Sequence, residues 1–207
     1  WTASTVSAWV AEVCDEARFH KAIHGPLREV RHFAGDGLFT AYDDEPNWGK
    51  AHRLLMPAFG PAAMRNYFDD MLGLADQMLT KWELFGPESD IGVPDNMTRL
   101  TLDTIALSGF AYRFNSFYRN EMHPFVEAMV RALRESGDRG RRLPLVNRLM
   151  RGKRRQYDAD SAYMHSVTDA LIAKRRTMDP DAAPRDLLGL MLSAKDPLTG
   201  EGLDDTN

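Results

Sequence analysis

Trp48 and His52 lie four residues apart, so on a helix both side chains leave the same face one turn from each other. An indole N–H and an imidazole N–H are two donors aimed in one direction, and such a face suits an anionic group. On spacing alone, the commoner outcome is a tryptophan packed in a core with the histidine at its edge. His20 and His24 share the spacing, which suits metal ligation on a helix. No third ligand accompanies them and Pro26 interrupts the helix, so solvated histidines and no metal site are expected. Cys14 is the single cysteine; flanked by acids, it makes a poor nucleophile or thiolate ligand and reads as a small core residue. Asp69, Asp70 and Asp103 have no nucleophile or base to pair with, and read as solvated faces or caps.

Residues 139–155 are a different material. They carry eight basic side chains and no acid, whereas the remaining 190 residues hold 18 basic against 30 acidic. The charge is interleaved with Leu143, Leu145, Val146, Leu149 and Met150, a composition that suits an interfacial or anionic-ligand contact. A nucleic-acid reading would need a recognition motif as well, and the chain has none. A solvated basic linker is the commonest outcome for such a run.

The elements that must position these residues are helical. The 207 residues are 43% apolar and 27% charged with net charge −4, which excludes a disordered chain and gives no bulk charge for nucleic acid. One cysteine excludes a disulfide framework and suits a reducing cytoplasm. No apolar run approaches the roughly 18 residues of a membrane span, and no basic-then-apolar leader opens the chain. The start at Trp1 and the stop in Leu203-Asp204-Asp205-Thr206-Asn207, which resembles the opening of another element, lead us to expect one partial domain over 1–207. Some of its apolar surface would then be meant for absent partners.

Apolar periodicity predicts helices over 4–13, 24–33 and 47–56, the last announced by acids and Pro46. Further helices are predicted from Pro61 to Gly86, Pro94 to Gly109, Pro124 to about Ser136, over 156–178, and from Pro184 through Met191. Gly137 and Gly140 should end the sixth. Segment 88–93 is a turn or a brief strand, and Asp196-Pro197 begins a turn. In Gly35-Asp36-Gly37-Leu38-Phe39 the glycines break the second helix; Leu38 and Phe39 directly after them should point inward. The fold class is all-α.

Several strings then occur in order: Cys14-Asp15-Glu16-Ala17-Arg18-Phe19, Phe33-Ala34-Gly35-Asp36-Gly37-Leu38-Phe39-Thr40, and Asn47-Trp48-Gly49-Lys50-Ala51-His52. They are followed by Met97-Thr98-Arg99-Leu100-Thr101-Leu102-Asp103-Thr104-Ile105, Tyr112-Arg113-Phe114-Asn115-Ser116-Phe117-Tyr118, and Lys195-Asp196-Pro197. Together they resemble the bacterial cytochrome P450 haem-thiolate monooxygenases, in particular the self-sufficient fatty-acid hydroxylases fused to a flavin reductase.

The resemblance covers nearly the whole chain and implies the N-terminal half of a P450 haem domain, without the central long helix and the half that carries the cysteine ligand. Cys14 does not match that ligand's context, so no catalytic or metal-ligating residue is expected here, and the chain alone should be inactive. The implied cofactor is haem b, with FAD, FMN and NADPH if a reductase is fused. The implied roles are Trp48, His52 and Lys21 beside the haem propionates and Phe39 standing over the haem. Leu27, Val30, Phe33 and Ala34, with Met129, Leu133 and Ser136 on the later helix, resemble the lining of a substrate channel. The implied activity is NADPH-driven hydroxylation of fatty acids or similar long-chain lipids in the cytoplasm, with a flavin reductase as electron donor, no nucleic acid, and lipid contact through 139–155. A non-enzymatic helical lipid carrier would use the same apolar residues without haem.

Overall fold

The computed structural model describes residues 3–15, 17–179 and 181–204. Trp1, Thr2, Glu16, Pro180 and residues 205–207 lie outside that description. Among the described residues there are nine α-helices, two 3₁₀ turns and no strand. The helices are α1 (Ala3–Val13), α2 (Pro26–Ala34), α3 (Pro46–Leu55), α4 (Pro61–Phe85), α5 (Val93–Phe110), α6 (Pro124–Arg139), α7 (Pro144–Leu149), α8 (Arg151–Arg176) and α9 (Leu187–Ser193). None is long and apolar enough to cross a membrane.

Proline does much of the punctuation. Helices α2 to α7 all carry proline in the first turn, where its missing N–H would have no partner anyway. Helix α2 ends at Gly35 with φ 64°, a left-handed backbone that glycine adopts without a Cβ clash. Three expected boundaries move. Helix α6 runs through Gly137 to Arg139, because its last turn is cross-linked by Arg139 to Glu135 at 3.3 Å and by Arg142 to Asp138 at 2.7 Å. Helix α8 starts at Arg151, inside the basic stretch, and Asp186 rather than Pro184 begins α9 by accepting from the Gly189 N–H. Segment 88–93 is turn and helix entry, not strand.

Helix α6 lies between the two packed halves of the core. On one side Ala128 and Ala132 let α8 approach closely, and Tyr157 and Met164 fill the seam. On the other, Val126 packs with Ala106 of α5 and with Phe114. Phe125 touches both clusters. Helix α2 is laid on α6 where Gly140 approaches the Gly25–Pro26 backbone; a Cβ there would stand 3.1 Å from the Pro26 nitrogen.

Buried polar groups fix the connections. Asp103 is 2% exposed and accepts from the Ser116 N–H at 3.0 Å and its hydroxyl at 2.6 Å, which corrects the expectation of a solvated carboxylate. The buried Arg99 guanidinium pairs with Asp95 and donates to the carbonyls of Ser116 and Asn120, so one side chain fastens the 115–121 loop to α5. Arg53 of α3 holds the fully buried Asp196 through two 2.7 Å bonds; these, first among its contacts, keep that carboxyl well below the usual range. Cys14 is exposed at the end of α1, not in the core, and Val6, Trp9, Val10 and Val13 of α1 are exposed as well.

Candidate functional site

The first two turns of α3 bring Trp48 and His52 together, and the α2–α3 connection, residues 35–45, receives Lys21. Trp48 and His52 are stacked, with ring centroids 5.2 Å apart and planes 11° off parallel. Both are half-buried, and neither ring hydrogen-bonds to another described residue. The stack leaves both donors available. Asn47, on the same helix turn, donates to Asp36 at 2.9 Å and ties the connection to the start of α3.

The connection itself is held by charge. Arg31 of α2 grips Glu45 through two bonds of 2.7 and 2.6 Å and donates to the Thr40 carbonyl at 2.9 Å. Glu45 also accepts from the Tyr42 N–H at 2.9 Å. The Arg31 bonds, then the Tyr42 N–H, hold the Glu45 carboxyl below its ordinary range, and the same pairing raises Arg31. Thr40, buried, returns its hydroxyl to the Gly35 carbonyl at 2.6 Å. The Lys21 ammonium enters the same loop and donates to the carbonyls of Leu38 and Ala41. Burial lowers the Lys21 affinity for its proton, and Glu45 and Asp43 oppose that. Arg31, Thr40 and Glu45 were not singled out by sequence reasoning; nothing periodic links positions 31 and 45.

Phe39 sits at the tip of this framework and is 71% exposed, opposite to the inward placement its hydrophobicity suggests. Among the channel-lining candidates, Val30 is buried, and Leu27 and Phe33 are half-buried. Phe33 meets Tyr157 edge-on at 5.9 Å, and Met129 packs on the same cluster. Ser136 is fully buried with its hydroxyl 3.3 Å from that of Tyr157, so its polar group is spent in the α6–α8 seam. Ala34 and Leu133 are exposed. Helices α2 and α6, which carry these residues, pack against each other.

No group of three or more His, Cys, Asp or Glu able to hold a metal occurs among the described residues, and His20 and His24 are exposed outside any helix. The donor types present suit an anionic group: an indole and an imidazole stacked on α3, and, in the adjoining loop, an ammonium with two of its three donors committed. Cys14 is exposed just beyond the end of α1.

The basic stretch is partly neutralised. Arg139 and Arg142 bind Glu135, Arg142 also binds Asp138, and Lys153 stands 3.8 Å from both acids. Arg154 is 3.9 Å from Asp158. Arg141, Arg151 and Arg155 have no acidic partner among the described residues, and Leu143, Leu145 and Leu149 are exposed beside them. A cleft of about 900 Å³ opens here between the start of α2 and the helices α6 to α8, with Arg28, His32, Arg139, Arg142 and Arg154 on its walls.

Comparison with protein families matches residues 10–207 to the family model for cytochrome P450. Among curated proteins the chain is 52% identical over 198 residues to the bifunctional cytochrome P450/NADPH–P450 reductase 2 of Bacillus subtilis, covering 96% of this chain and 19% of that protein. It is 50% identical over 198 residues to the self-sufficient cytochrome P450 monooxygenase CYP505E3 of Phanerodontia chrysosporium, covering 96% and 18%. Among solved structures, that of the cytochrome P450DA heme domain superposes with a TM-score of 0.83 at 47% identity, over 96% of this chain and 42% of that one. The chain thus spans about a fifth of the length of the curated relatives it matches.

Proposed function

The chain belongs to the cytochrome P450 family, and on that premise we propose that the complete protein is a haem-dependent monooxygenase of fatty acids or similar long-chain lipids. The observation that carries the reading is the stacked Trp48–His52 pair beside the clamped loop that presents Phe39. Bound haem b would supply the oxygen-activating chemistry, with two electrons delivered from outside the site. The protein's part is binding, orientation and exclusion of water.

Trp48 and His52 would hold the propionate edge with their ring donors, and Lys21 would add its third ammonium proton. Phe39 would limit how a substrate chain approaches the reacting centre. Leu27, Val30, Phe33, Ala34, Met129 and Leu133 would take the acyl chain out of water, at about 0.8 kcal/mol per buried CH₂. Ser136 would act from behind, by fixing Tyr157 under Phe33. On this reading a residue other than the exposed Cys14 would supply the thiolate that holds the haem iron. Electrons would come from an NADPH–P450 reductase, as the name of the Bacillus subtilis relative suggests; FAD and FMN as its flavins and a cytoplasmic location are part of the same proposal.

Lipid contact through 139–155 would be made by Arg141, Arg151 and Arg155, which have no acidic partner among the described residues, and by the exposed leucines between them. The test is reconstitution of the full-length protein with haemin, followed by the reduced carbon-monoxide difference spectrum and turnover with a saturated fatty acid. A thiolate-type spectrum and hydroxylated products are expected. Fatty-acid binding without any haem spectrum would replace this reading with that of a lipid carrier.

A further inference from the structure

Phe39 is an apolar ring held in the open while the backbone around it is buried: Thr40 and Ala41 are 1% and 0% exposed. Left to itself, a ring in a glycine-rich turn would fold against the nearest apolar surface. Something fixes the turn, and the hydrogen bonds identify it. Thr40 and Ala41 each donate their N–H to the Gly37 carbonyl, at 3.0 and 2.8 Å. The carbonyls on the other side are taken by cations: Leu38 and Ala41 by Lys21, Thr40 by Arg31. Lys21 reaches in from outside the turn, 17 and 20 residues upstream of its acceptors, and those acceptors bracket Phe39 and Thr40.

We propose that Lys21 is a positioning residue for Phe39: its ammonium clamps the carbonyls on either side of the Phe39–Thr40 pair and so sets the direction in which the ring is presented. Arg31 and Glu45 form the outer half of the same clamp. An ammonium has three donors, and two are committed here, so the third can join a haem propionate to the loop. Propionate binding and Phe39 placement then share one charged group, and each strengthens the other. The inference rests on the monooxygenase reading for its consequence, the product pattern, but the clamp itself is a property of the loop.

The experiment uses the full-length haem-loaded protein with hexadecanoic acid as probe, in the variants Lys21→Met, Lys21→Arg, Phe39→Ala and the double Lys21→Met/Phe39→Ala. Two readouts are taken: the ratio of hydroxylated regioisomers, and hydrogen exchange of the amides at 40–42. Lys21→Met should change the isomer ratio by about threefold to tenfold, the equivalent of one hydrogen bond's net contribution. It should also speed exchange at Thr40 and Ala41. Lys21→Arg, which keeps donors in reach, should restore most of both. In the Phe39→Ala background Lys21→Met should leave the isomer ratio where Phe39→Ala alone puts it.

Unchanged exchange in Lys21→Met overturns the clamp. So does a shift in isomer ratio of the same size with and without Phe39, since Lys21 would then act by another route. If Phe39→Ala changes the products and Lys21→Met does not, the clamp falls and the monooxygenase reading stands. If Phe39→Ala changes nothing, the role of Phe39 falls and takes the proposal with it. Should Lys21→Met fail to load haem, Lys21→Gln carries the same comparison under the same criteria.

Discussion

If, as we propose, this chain is one part of a longer haem domain, expressing it alone should leave it unable to stand as a monomer, and the surface area says by how much. A compact monomer of 23.4 kDa would expose about 9,700 Å². This chain exposes 14,080 Å². The excess, roughly 4,400 Å² on one side alone, would correspond to about 8,800 Å² over both partners, above the ~2,000–5,000 Å² that obligate interfaces bury in total. Its composition fits such an interface: Phe68, Leu72 and Leu79 line one face of α4 at 59%, 49% and 46% exposure, Ile105 stands out from α5, and the apolar face of α1 is open. The assay is expression of residues 1–207 alone, followed by sedimentation velocity, binding of a hydrophobic dye and scanning calorimetry. Polydisperse association, strong dye binding and a broad, weak transition are expected. Adding the missing polypeptide of the haem domain in trans should convert the mixture to one species. Replacing Phe68, Leu72 and Leu79 by lysine should improve solubility of the isolated chain and abolish that rescue. A monodisperse monomer melting in one transition near the usual ~0.7 kcal/mol per residue would refute the argument.

Three further outcomes are expected in the full-length haem-loaded protein. Arg99→Met removes a buried charge and orphans the Ser116 and Asn120 carbonyls; it should cost about 3–5 kcal/mol, read from the denaturant midpoint of haem release, and a cost below 1 would contradict the fastening role. His123 caps α6 by accepting from the Phe125 N–H at 3.2 Å, and burial lowers its affinity for a proton, with Arg119 adding to the effect. The unfolded chain therefore binds the proton more readily, so this contribution is present above the ordinary histidine value of ~6.5 and is lost as pH falls through the lower folded value. His123→Asn, which caps without titrating, should flatten the fall in melting temperature between pH 7.5 and 5; an unaltered slope would assign the pH dependence elsewhere. Neutralising Arg151, Lys153, Arg154 and Arg155 should weaken fatty-acid binding at low salt and much less above ~0.5 M, where charges are screened within a few ångströms; equal affinity at low salt would remove the lipid contact.

How far the sequence carries depends on the range of the interactions that decide each feature. Helix ends were legible because proline and glycine act locally: α4 spans Pro61–Phe85, as its flanking residues imply. The shared face of Trp48 and His52 follows from a spacing of four, and the parallel ring stack adds only the rotamers. Gly137 misled, because the pairs from Glu135 and Asp138 to Arg139 and Arg142 outweigh one glycine, which costs about 1 kcal/mol in a helix. Asp103 misled because its partner, Ser116, arrives only when the 115–121 loop folds back over α5. Charge counting overstated the basic stretch for the same reason: the acids that answer it, Glu135 and Asp138, lie just outside the counted window.

Phe39 is where local and global reasoning part most clearly. Hydrophobicity alone turns the ring inward, since exposure of a phenylalanine forgoes about 1.5–3 kcal/mol. The ring is outward because the turn that bears it is fixed by Lys21, Arg31 and Glu45, none of which has an apolar reason to be there. Charged groups drawn into a loop and satisfied by its carbonyls oppose collapse, and a natural sequence keeps such a conflict where function needs it. The exposed ring, the uncommitted indole and the third proton of Lys21 are all residues whose local surroundings leave a group unsatisfied. On the proposed reading each would meet the haem, the ring at its apolar face and the indole and ammonium at its anionic edge.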